Sequence, residues 1–327
     1  MRVCFVQRGG LSDHTLGELP DLLRRDDGFV WLDITDVTDE AAALLAREFH
    51  AHPLVVRACR QRNFVPTLHG YDEHLFLVLH APLAGEGGHV HSLELDQLVG
   101  SRYLVTVHGP RNPVVSEAEA TADTDQVRER IARGRFHPAT PDDLSYAIGS
   151  TIARRQGAAV RAVADRLPAL EERVMNSDFQ RPEELLEQLF LLRHELLVSR
   201  TMAAQCHDIY ARLASLDRHT TDAARAHAHD LREQFERTRS VADGESQFLF
   251  GVIELYQTRV TTKMTLAMER LAVIAAITLP ITAIASVYGM NLIVNDRTHV
   301  PHLIVVVLVM VGISLWLLRW ARRQGWW

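Results

Sequence analysis

Two long apolar runs near the C-terminus constrain the fold of this chain more than any other feature. No residue carries a charge from Leu271 to Met290, and none does from Leu303 to Leu318. A helix of roughly 20 apolar residues can cross the hydrocarbon layer of a bilayer, which is roughly 30 Å thick. The pattern therefore predicts two membrane-spanning helices, joined by a short polar loop.

The flanking charges predict how these helices are oriented. Basic residues precede the first run and follow the second: Arg259, Lys263, Arg270, Arg319, Arg322 and Arg323. The loop between the runs has only Arg297, which Asp296 offsets. The positive-inside rule then places both termini in the cytoplasm of a bacterial inner or plasma membrane, with the loop outside. A buried hairpin in the core of a soluble protein is the alternative.

Composition and motifs argue against several other classes of protein. The net charge of −6 lacks the basic excess of a nucleic-acid-binding protein, so we expect no nucleic acid as partner. Three scattered cysteines without metal-ligand spacing indicate inert thiols in a reducing compartment. The start, MRVCFVQRGG, lacks the apolar core of a signal peptide. No GxxxxGK[ST], HExxH or GxSxG motif occurs, and we expect no enzyme activity.

The rest of the chain divides near residue 140. Up to that point, runs with strand composition (MRVCFVQ, FVWLDI, HLFLVLHAPL, HSLELDQLVG and RYLVTVHG) alternate with helical patterns, such as the one that follows Thr38. This favours an α/β domain over residues 1–140. Leucine and alanine then recur at helical spacing, which predicts helices at roughly 141–176, 181–214 and 217–289.

The last of these helices runs directly into the first apolar run, so it predicts a stalk bundled with copies of itself. The predicted regions are a cytoplasmic helical and stalk region at 141–269, a first span at 270–290, an outer loop at 291–302, a second span at 303–320 and a basic cytoplasmic tail at 321–327.

The motif that closes the first span resembles a known family. Tyr-Gly-Met-Asn, from Tyr288 to Asn291, lies at the outer end of the first of two C-terminal spans, and an arginine-rich tail follows the second. Together with the upstream segments ELYQTRVTTKMT and ERLAVIAAITLPITAIASVYGMN, this is similar to the CorA family of divalent metal-ion transporters. The resemblance implies a homopentameric funnel in which the first span lines a pore and the second faces lipid. Gly289 is also a common type of helix terminator.

The resemblance implies a set of pore-lining and gate positions, at steps that keep one helical face. They are Thr265, Met268, Leu271, Ala275, Leu279, Thr282 and Ser286. An apolar collar from Met268 to Leu279 would close a narrow pore to a hydrated ion. Two alternatives stay open: Thr278, Thr282 and Ser286 form a second stripe, and the threonines can bond their own helix.

The resemblance also implies a selectivity filter made of Gly289, Met290 and Asn291. Mg²⁺ dehydrates reluctantly, and proteins often hold it with several waters kept. A ring of Asn291 amides can accept hydrogen bonds from those waters. Carboxylates there would bind too tightly, since conduction requires binding weak enough for release.

Regulation in this family is by cytoplasmic metal shared between subunits, which holds the pore shut. The resemblance places a regulatory carboxylate at Asp230, with His227 on the same helical face. It also places Glu254 near the inner pore mouth, where it would concentrate cations. The alternative for Asp230 is a solvated stalk face. Asp72, Glu94 and Asp96 are candidates for the partner carboxylate.

Three departures from the family pattern bear on ion choice. His302 replaces an acidic residue of the outer loop, with His299 nearby; Thr265 stands where an asparagine is frequent; Arg57 stands where an acidic residue is common. Imidazole suits transition metals. The intact Gly-Met-Asn motif and the absence of a line of soft ligands through the membrane nevertheless favour Mg²⁺ as transported and regulatory ion, with Co²⁺ as second cargo. A ZntB-like transporter of Zn²⁺, Ni²⁺ or Co²⁺ and a membrane-anchored metal sensor are the alternatives.

Overall fold

The computed structural model describes residues 1–176, 182–216, 221–289 and 300–323. The chain forms two compact units, Met1–Gly251 and Val252–Trp327. An α/β fold and long helices make up the first unit, and apolar helix makes up most of the second. One long helix contributes residues to both units.

A seven-stranded sheet is the centre of the first unit. Its strands are β1 (Arg2–Gln7), β2 (Gly10–His14), β3 (Gly28–Ile34), β4 (Thr67–Gly70), β5 (His74–Ala84), β6 (Val90–Gly100) and β7 (Tyr103–Val107). Their spatial order is β2-β1-β3-β7-β6-β5-β4. The central pair β3 and β7 is parallel, and the other neighbours are antiparallel.

Nine helices are described. They are α1 (Leu19–Leu22), α2 (Asp39–Glu48), α3 (Pro53–Arg60), α4 (Glu117–Ala132), α5 (Pro141–Ala164), α6 (Leu167–Asn176), α7 (Pro182–Ala214), α8 (Asp222–Gly289) and α9 (Val300–Arg323). Two of them contain a stretch long and apolar enough to cross a membrane, α8 within Asp222–Val287 and α9 within Leu303–Arg323.

Both faces of the sheet are buried. Alternate side chains of β3 belong to two different hydrophobic cores. Phe29 and Trp31 pack in a core with residues of α4, α5, α7 and α8. Val30, Leu32 and Ile34 point to the other face and pack in a second core with residues of α1, α2 and α3. Successive side chains of a strand point to opposite faces. A strand that is apolar at both sets of positions must therefore lie between two layers of helix.

The predicted α/β region followed by long helices is confirmed. Each of the five predicted strand runs forms a strand, and Thr38 caps α2 by accepting a hydrogen bond from the Ala41 amide at 3.2 Å. The predicted helices at 181–214 and 217–289 correspond to α7 and α8. The boundary near residue 140 stays a prediction.

The single predicted helix over 141–176 is wrong. The chain turns at Asp165 and Arg166 and separates α5 from α6. Pro168 is the second residue of α6. Because a proline ring clashes with the carbonyl four residues earlier, a helix cannot continue through it undisturbed, whereas a helix can begin next to it.

Candidate functional site

The predicted pore stripe lies on one exposed face of α8. Each of its members is exposed, and the large side chains of Met268, Leu271 and Leu279 are 62%, 65% and 68% exposed. Exposed apolar side chains of this size at regular helical spacing are unusual on a soluble surface. They are expected where lipid or another copy of the chain covers the helix.

A partly buried stripe lies on the opposite face of the same helix. Val273 is buried, and Ile277, Pro280 and Ile284 are partly buried. At 3.6 residues per turn, these positions lie roughly 180° around the helix axis from Leu271, Ala275, Leu279, Thr282 and Ser286. Thus the predicted pore stripe lies away from the one partly buried stripe of α8, and it shares its exposure with most other positions of the apolar segment, such as Ile274 and Val287.

The threonines of the stripe donate to their own helix. The hydroxyls of Thr265, Thr278 and Thr282 donate to the carbonyls of Thr261, Ile274 and Thr278 at 3.0, 2.9 and 2.8 Å. This is the alternative that the sequence left open for these residues. A hydroxyl oxygen that donates its proton still has lone pairs for a cation's water, so the finding leaves both uses available.

The described part of α8 ends at Gly289, the glycine of the predicted filter. Met290 and Asn291 lie outside the described residues, as does His299. His302 is a residue of α9, but its side chain is not described. The helix reaches the motif at the predicted place, and the filter itself stays a prediction.

A polar cluster surrounds Asp230 in the first unit. The Tyr146 hydroxyl donates to Asp230 Oδ2 at 2.7 Å, and the Gln234 amide donates to the same oxygen at 2.6 Å. The His227 ring stacks on Tyr146 with centroids 4.3 Å apart. His227 Nδ1 lies 3.8 Å from Asp143 Oδ1. Helices α5 and α8 therefore bring three acidic or imidazole groups to one region.

Two side chains at this cluster have raised pKa values: Tyr146, and Asp142, the residue before Asp143 in α5. Burial raises the pKa of Asp142, and the charge of Asp143 raises it further. Burial also raises the pKa of Tyr146, with smaller contributions from its hydrogen bond to Asp230 and from the charge of that carboxylate. Tyr146 is thus a hydrogen-bond donor to Asp230 throughout the physiological pH range.

The described residues contain no group of three or more histidine, cysteine, aspartate or glutamate side chains arranged to hold a metal ion. Asp230 and Glu254 are exposed, on the parts of α8 that belong to the first and the second unit. Among the candidate partner carboxylates, Asp72 is exposed, Glu94 is 8% exposed and Asp96 is fully buried. Burial makes Asp96 unsuitable for contact with a neighbouring subunit.

The sequence reasoning missed Asp143, Tyr146 and Gln234. Tyr146 is 84 residues from Asp230, and no spacing rule connects two helices that are so far apart in the chain. The one local signal is Thr140-Pro-Asp-Asp143, in which the carboxylate of Asp143 accepts from the Thr140 amide at 3.0 Å. This capping pattern identifies the start of α5 but not what it faces.

Comparisons with known proteins decide the family. A family model described as CorA-like Mg²⁺ transporter protein matches residues 26–323. The chain belongs to the CorA family. The cobalt/magnesium transport protein CorA of Thermotoga maritima is 26% identical over 270 residues, which are 80% of this chain and 72% of that protein. YfjQ of Bacillus subtilis is 28% identical over 309 residues, 92% of this chain and 91% of that one.

The fold is shared with a solved member of the family. The complete structure of the CorA magnesium transporter from Methanocaldococcus jannaschii matches with a TM-score of 0.81 at 18% identity, over 100% of this chain and 99% of that one. At this identity the match concerns the fold. The predicted fold class, an α/β domain followed by long helices and a C-terminal apolar helix, is confirmed for this CorA family chain.

Proposed function

We propose that the chain is a divalent cation channel of the bacterial inner or plasma membrane, with Mg²⁺ as cargo and Co²⁺ as second cargo. The observation that carries the proposal is the long apolar end of α8, which runs to Gly289 in a chain of a family described as Mg²⁺ transporters. Five copies of α8 surround the pore and five copies of α9 face the lipid. Both termini lie in the cytoplasm.

The pore works by receiving the ion together with its water. Mg²⁺ keeps several waters, so a ring of Asn291 amides beyond Gly289 binds the hydrated ion through hydrogen bonds. Hydrogen bonds of this kind are weak enough for release. The membrane potential drives entry, because two charges that cross 100 mV release about 4.6 kcal/mol. No nucleotide hydrolysis is required.

The gate is the apolar collar below the filter. Met268, Leu271, Ala275 and Leu279 contribute apolar side chains, and Thr265, Thr282 and Ser286 make the two ends polar. A narrow apolar constriction loses its water and excludes a hydrated ion. Pro280, which lacks the amide proton of a normal helix residue, lies directly after this collar within α8.

Cytoplasmic metal closes the channel. Tyr146 and Gln234 both donate to Oδ2 of Asp230, and this fixes the carboxylate on the exposed surface of α8. A neighbouring subunit completes the metal site, with His227 beside it. Glu254 lies closer to the membrane and raises the local cation concentration at the inner mouth.

His299 and His302 form the outer mouth. An imidazole that is protonated carries a positive charge and repels divalent ions. Imidazoles also suit transition metals better than Mg²⁺, which makes transport of Zn²⁺, Ni²⁺ or Co²⁺ by the same fold the second candidate function.

Cation flux in proteoliposomes tests the proposal. The purified full chain is reconstituted, a K⁺ diffusion potential is applied, and uptake of Mg²⁺, Co²⁺, Ni²⁺ and Zn²⁺ is measured singly and in competition. We expect Mg²⁺ to enter and to compete with Co²⁺. Preferential uptake of Zn²⁺ would support the second candidate instead. Absence of flux with all four ions would refute transport and leave a membrane-anchored sensor.

A further inference from the structure

A pair of histidines, His89 and His91, lies at the turn between β5 and β6. The rings of His89 and His91 have centroids 4.7 Å apart and an interplanar angle of 74°. Both side chains line a cavity of about 600 Å³, together with Gly85, Glu86, Val114 and Glu119. Neither ring belongs to the proposed pore, gate or closing site.

The backbone around the pair is fixed. The Gly85 amide donates to the His89 carbonyl at 2.7 Å, and the His89 amide donates to the Glu86 carbonyl at 3.1 Å. His91 pairs with Leu83 in the β5–β6 ladder. A Cβ at Gly88 would lie 2.6 Å from the Leu191 side chain, so the turn also lies directly against α7.

Gly85 leaves the space that the His91 ring occupies. A Cβ at Gly85 would lie 2.6 Å from His91 Nε2, which is closer than any normal contact. Gly85 has an extended backbone that any residue can adopt. The missing side chain, rather than a special conformation, is therefore what lets the imidazole lie over this turn.

The separation of the rings fits two ligands of one metal ion. With metal–nitrogen distances of about 2.0–2.1 Å, two imidazoles on one ion have centroids roughly 4.5–5.2 Å apart for angles between 90° and tetrahedral. Two histidines at alternate positions share one side of an extended chain, so both can reach the same ion.

The electrostatic surroundings also favour a cation. The Ser116 amide and hydroxyl donate to Glu119 Oε2 at 3.0 and 2.5 Å, and hydrogen bonds of this kind favour the charged form of a carboxylate. Glu86 is exposed on the same cavity. Two carboxylates therefore lie beside the two imidazoles and offset the charge of a bound ion.

We propose that His89 and His91 chelate a divalent transition-metal ion, of the class Zn²⁺, Ni²⁺, Co²⁺ or Cu²⁺, with water in the remaining positions and Glu86 and Glu119 as outer carboxylates. Imidazole nitrogen prefers these ions to Mg²⁺, which prefers oxygen. The site is thus chemically distinct from the Mg²⁺ pathway and can be occupied while Mg²⁺ is abundant.

Equilibrium dialysis of the full chain in detergent tests the site, with Zn²⁺ as probe and excess Mg²⁺ present to occupy oxygen sites. The double variant His89→Gln/His91→Gln should bind one Zn²⁺ fewer per chain than the wild type. The matched control His194→Gln/His229→Gln, which removes two exposed histidines on α7 and α8, should keep the wild-type number. Equal binding by the first variant and the wild type, or an equal loss in both variants, would overturn the proposal.

Gly85→Ala separates geometry from histidine content. It keeps both imidazoles but places a Cβ against His91 Nε2, so it should also lose the ion. Acidification should release the ion from the wild type, because imidazole binds metal only when neutral. Undiminished Zn²⁺ binding by Gly85→Ala would show that the observed ring arrangement holds no metal.

Discussion

A buried polar network joins two strands of the sheet to a helix. Its members can be read from the sequence, but no local pattern predicts their contacts. Asp33 and His108 are both buried, and His108 Nε2 lies 2.8 Å from Asp33 Oδ1. The Thr106 hydroxyl donates to the same oxygen, and His108 Nδ1 lies 3.0 Å from the carbonyl oxygen of Ala120. These contacts join β3, β7 and α4.

Asp33→Asn should lower the free energy of unfolding of the first unit by about 1–3 kcal/mol, because it disturbs the buried hydrogen bonds that join this side chain to Thr106 and His108. Thermal or denaturant unfolding of the solubilised chain measures the loss. Asp36→Asn is the matched control, since that carboxylate is exposed and should change stability by less than about 0.5 kcal/mol. Equal midpoints for Asp33→Asn and the wild type would contradict the role of the pair.

A second buried carboxyl gives the fold a pH dependence. The pKa of Asp96 is raised well above its ordinary value. Burial is the main cause, and the charge of Glu94 is the second. Cys59 and Glu94 face Asp96, and Asn63 and Arg62 act on it through Glu94. The folded chain therefore binds this proton more tightly than the unfolded chain does. The contribution of Asp96 to the free energy of unfolding is therefore greatest below the ordinary carboxyl pKa of about 4. It is lost as the pH rises toward the raised pKa of the folded chain.

Asp96→Asn should remove this pH-dependent loss, because the amide cannot ionise. We expect the unfolding midpoint of the variant to fall less between pH 5 and pH 8 than that of the wild type. Asp72→Asn, an exposed position, should keep the wild-type slope. Parallel slopes for Asp96→Asn and the wild type would show that Asp96 does not titrate in the folded chain.

Asp230→Lys tests the closing site. With a lysine there, internal Mg²⁺ should inhibit the channel less, because a positive charge replaces the proposed metal ligand. Tyr146→Phe is the comparison: it removes the 2.7 Å hydrogen bond to Asp230 but keeps the carboxylate and its Gln234 donor, so inhibition should weaken less than in Asp230→Lys. Dose–response curves of flux against internal Mg²⁺ report both. Wild-type inhibition in Asp230→Lys would leave Asp230 as an ordinary surface carboxylate.

Helices and strands can be predicted from the sequence where a local pattern marks them. The strand β3 is recognisable from FVWLDI because it is apolar on both faces, and α2 from its Thr38 cap. The helix α4 carries a comparable signal, the capping box of Ser116 and Glu119, although its interior is too polar for a helical apolar stripe to be clear. Contacts between elements, such as Tyr146 with Asp230, depend on packing that no local pattern encodes.

Close packing of α5 against α7 and α8 depends on Gly149. A Cβ there would lie 2.6 Å from the Tyr210 hydroxyl and 3.0 Å from Leu231 Cδ1. Gly149→Ala should therefore destabilise the first unit by about 1–3 kcal/mol, despite the better helix propensity of alanine. On α8, a Cβ at Gly244 would meet no described atom within 4 Å, so Gly244→Ala should not destabilise the chain. Equal effects of the two changes on the unfolding midpoint would refute this close approach.

At the scale of the whole molecule, the apolar end of α8 has one partly buried stripe and is otherwise mostly exposed. The partly buried stripe at Val273 lies across the helix from Leu271 and Leu279, which are exposed, and the assignment of these two residues to a pore stays a prediction. Periodicity cannot predict which face meets which partner in an assembly, because every stripe in an apolar span is apolar. The polar residues at the ends of the exposed stripe and the motif after it are what favour a pore.

Voltage-driven Mg²⁺ uptake by Asn291→Ala in proteoliposomes tests the account most directly. The wild type should take up Mg²⁺, Asn291→Ala should lose uptake while it assembles to the same size in detergent, and Asn295→Ala, in the same loop, should keep it. Uptake by Asn291→Ala at the wild-type rate would contradict the claim that this residue receives the hydrated ion at the mouth of the pore.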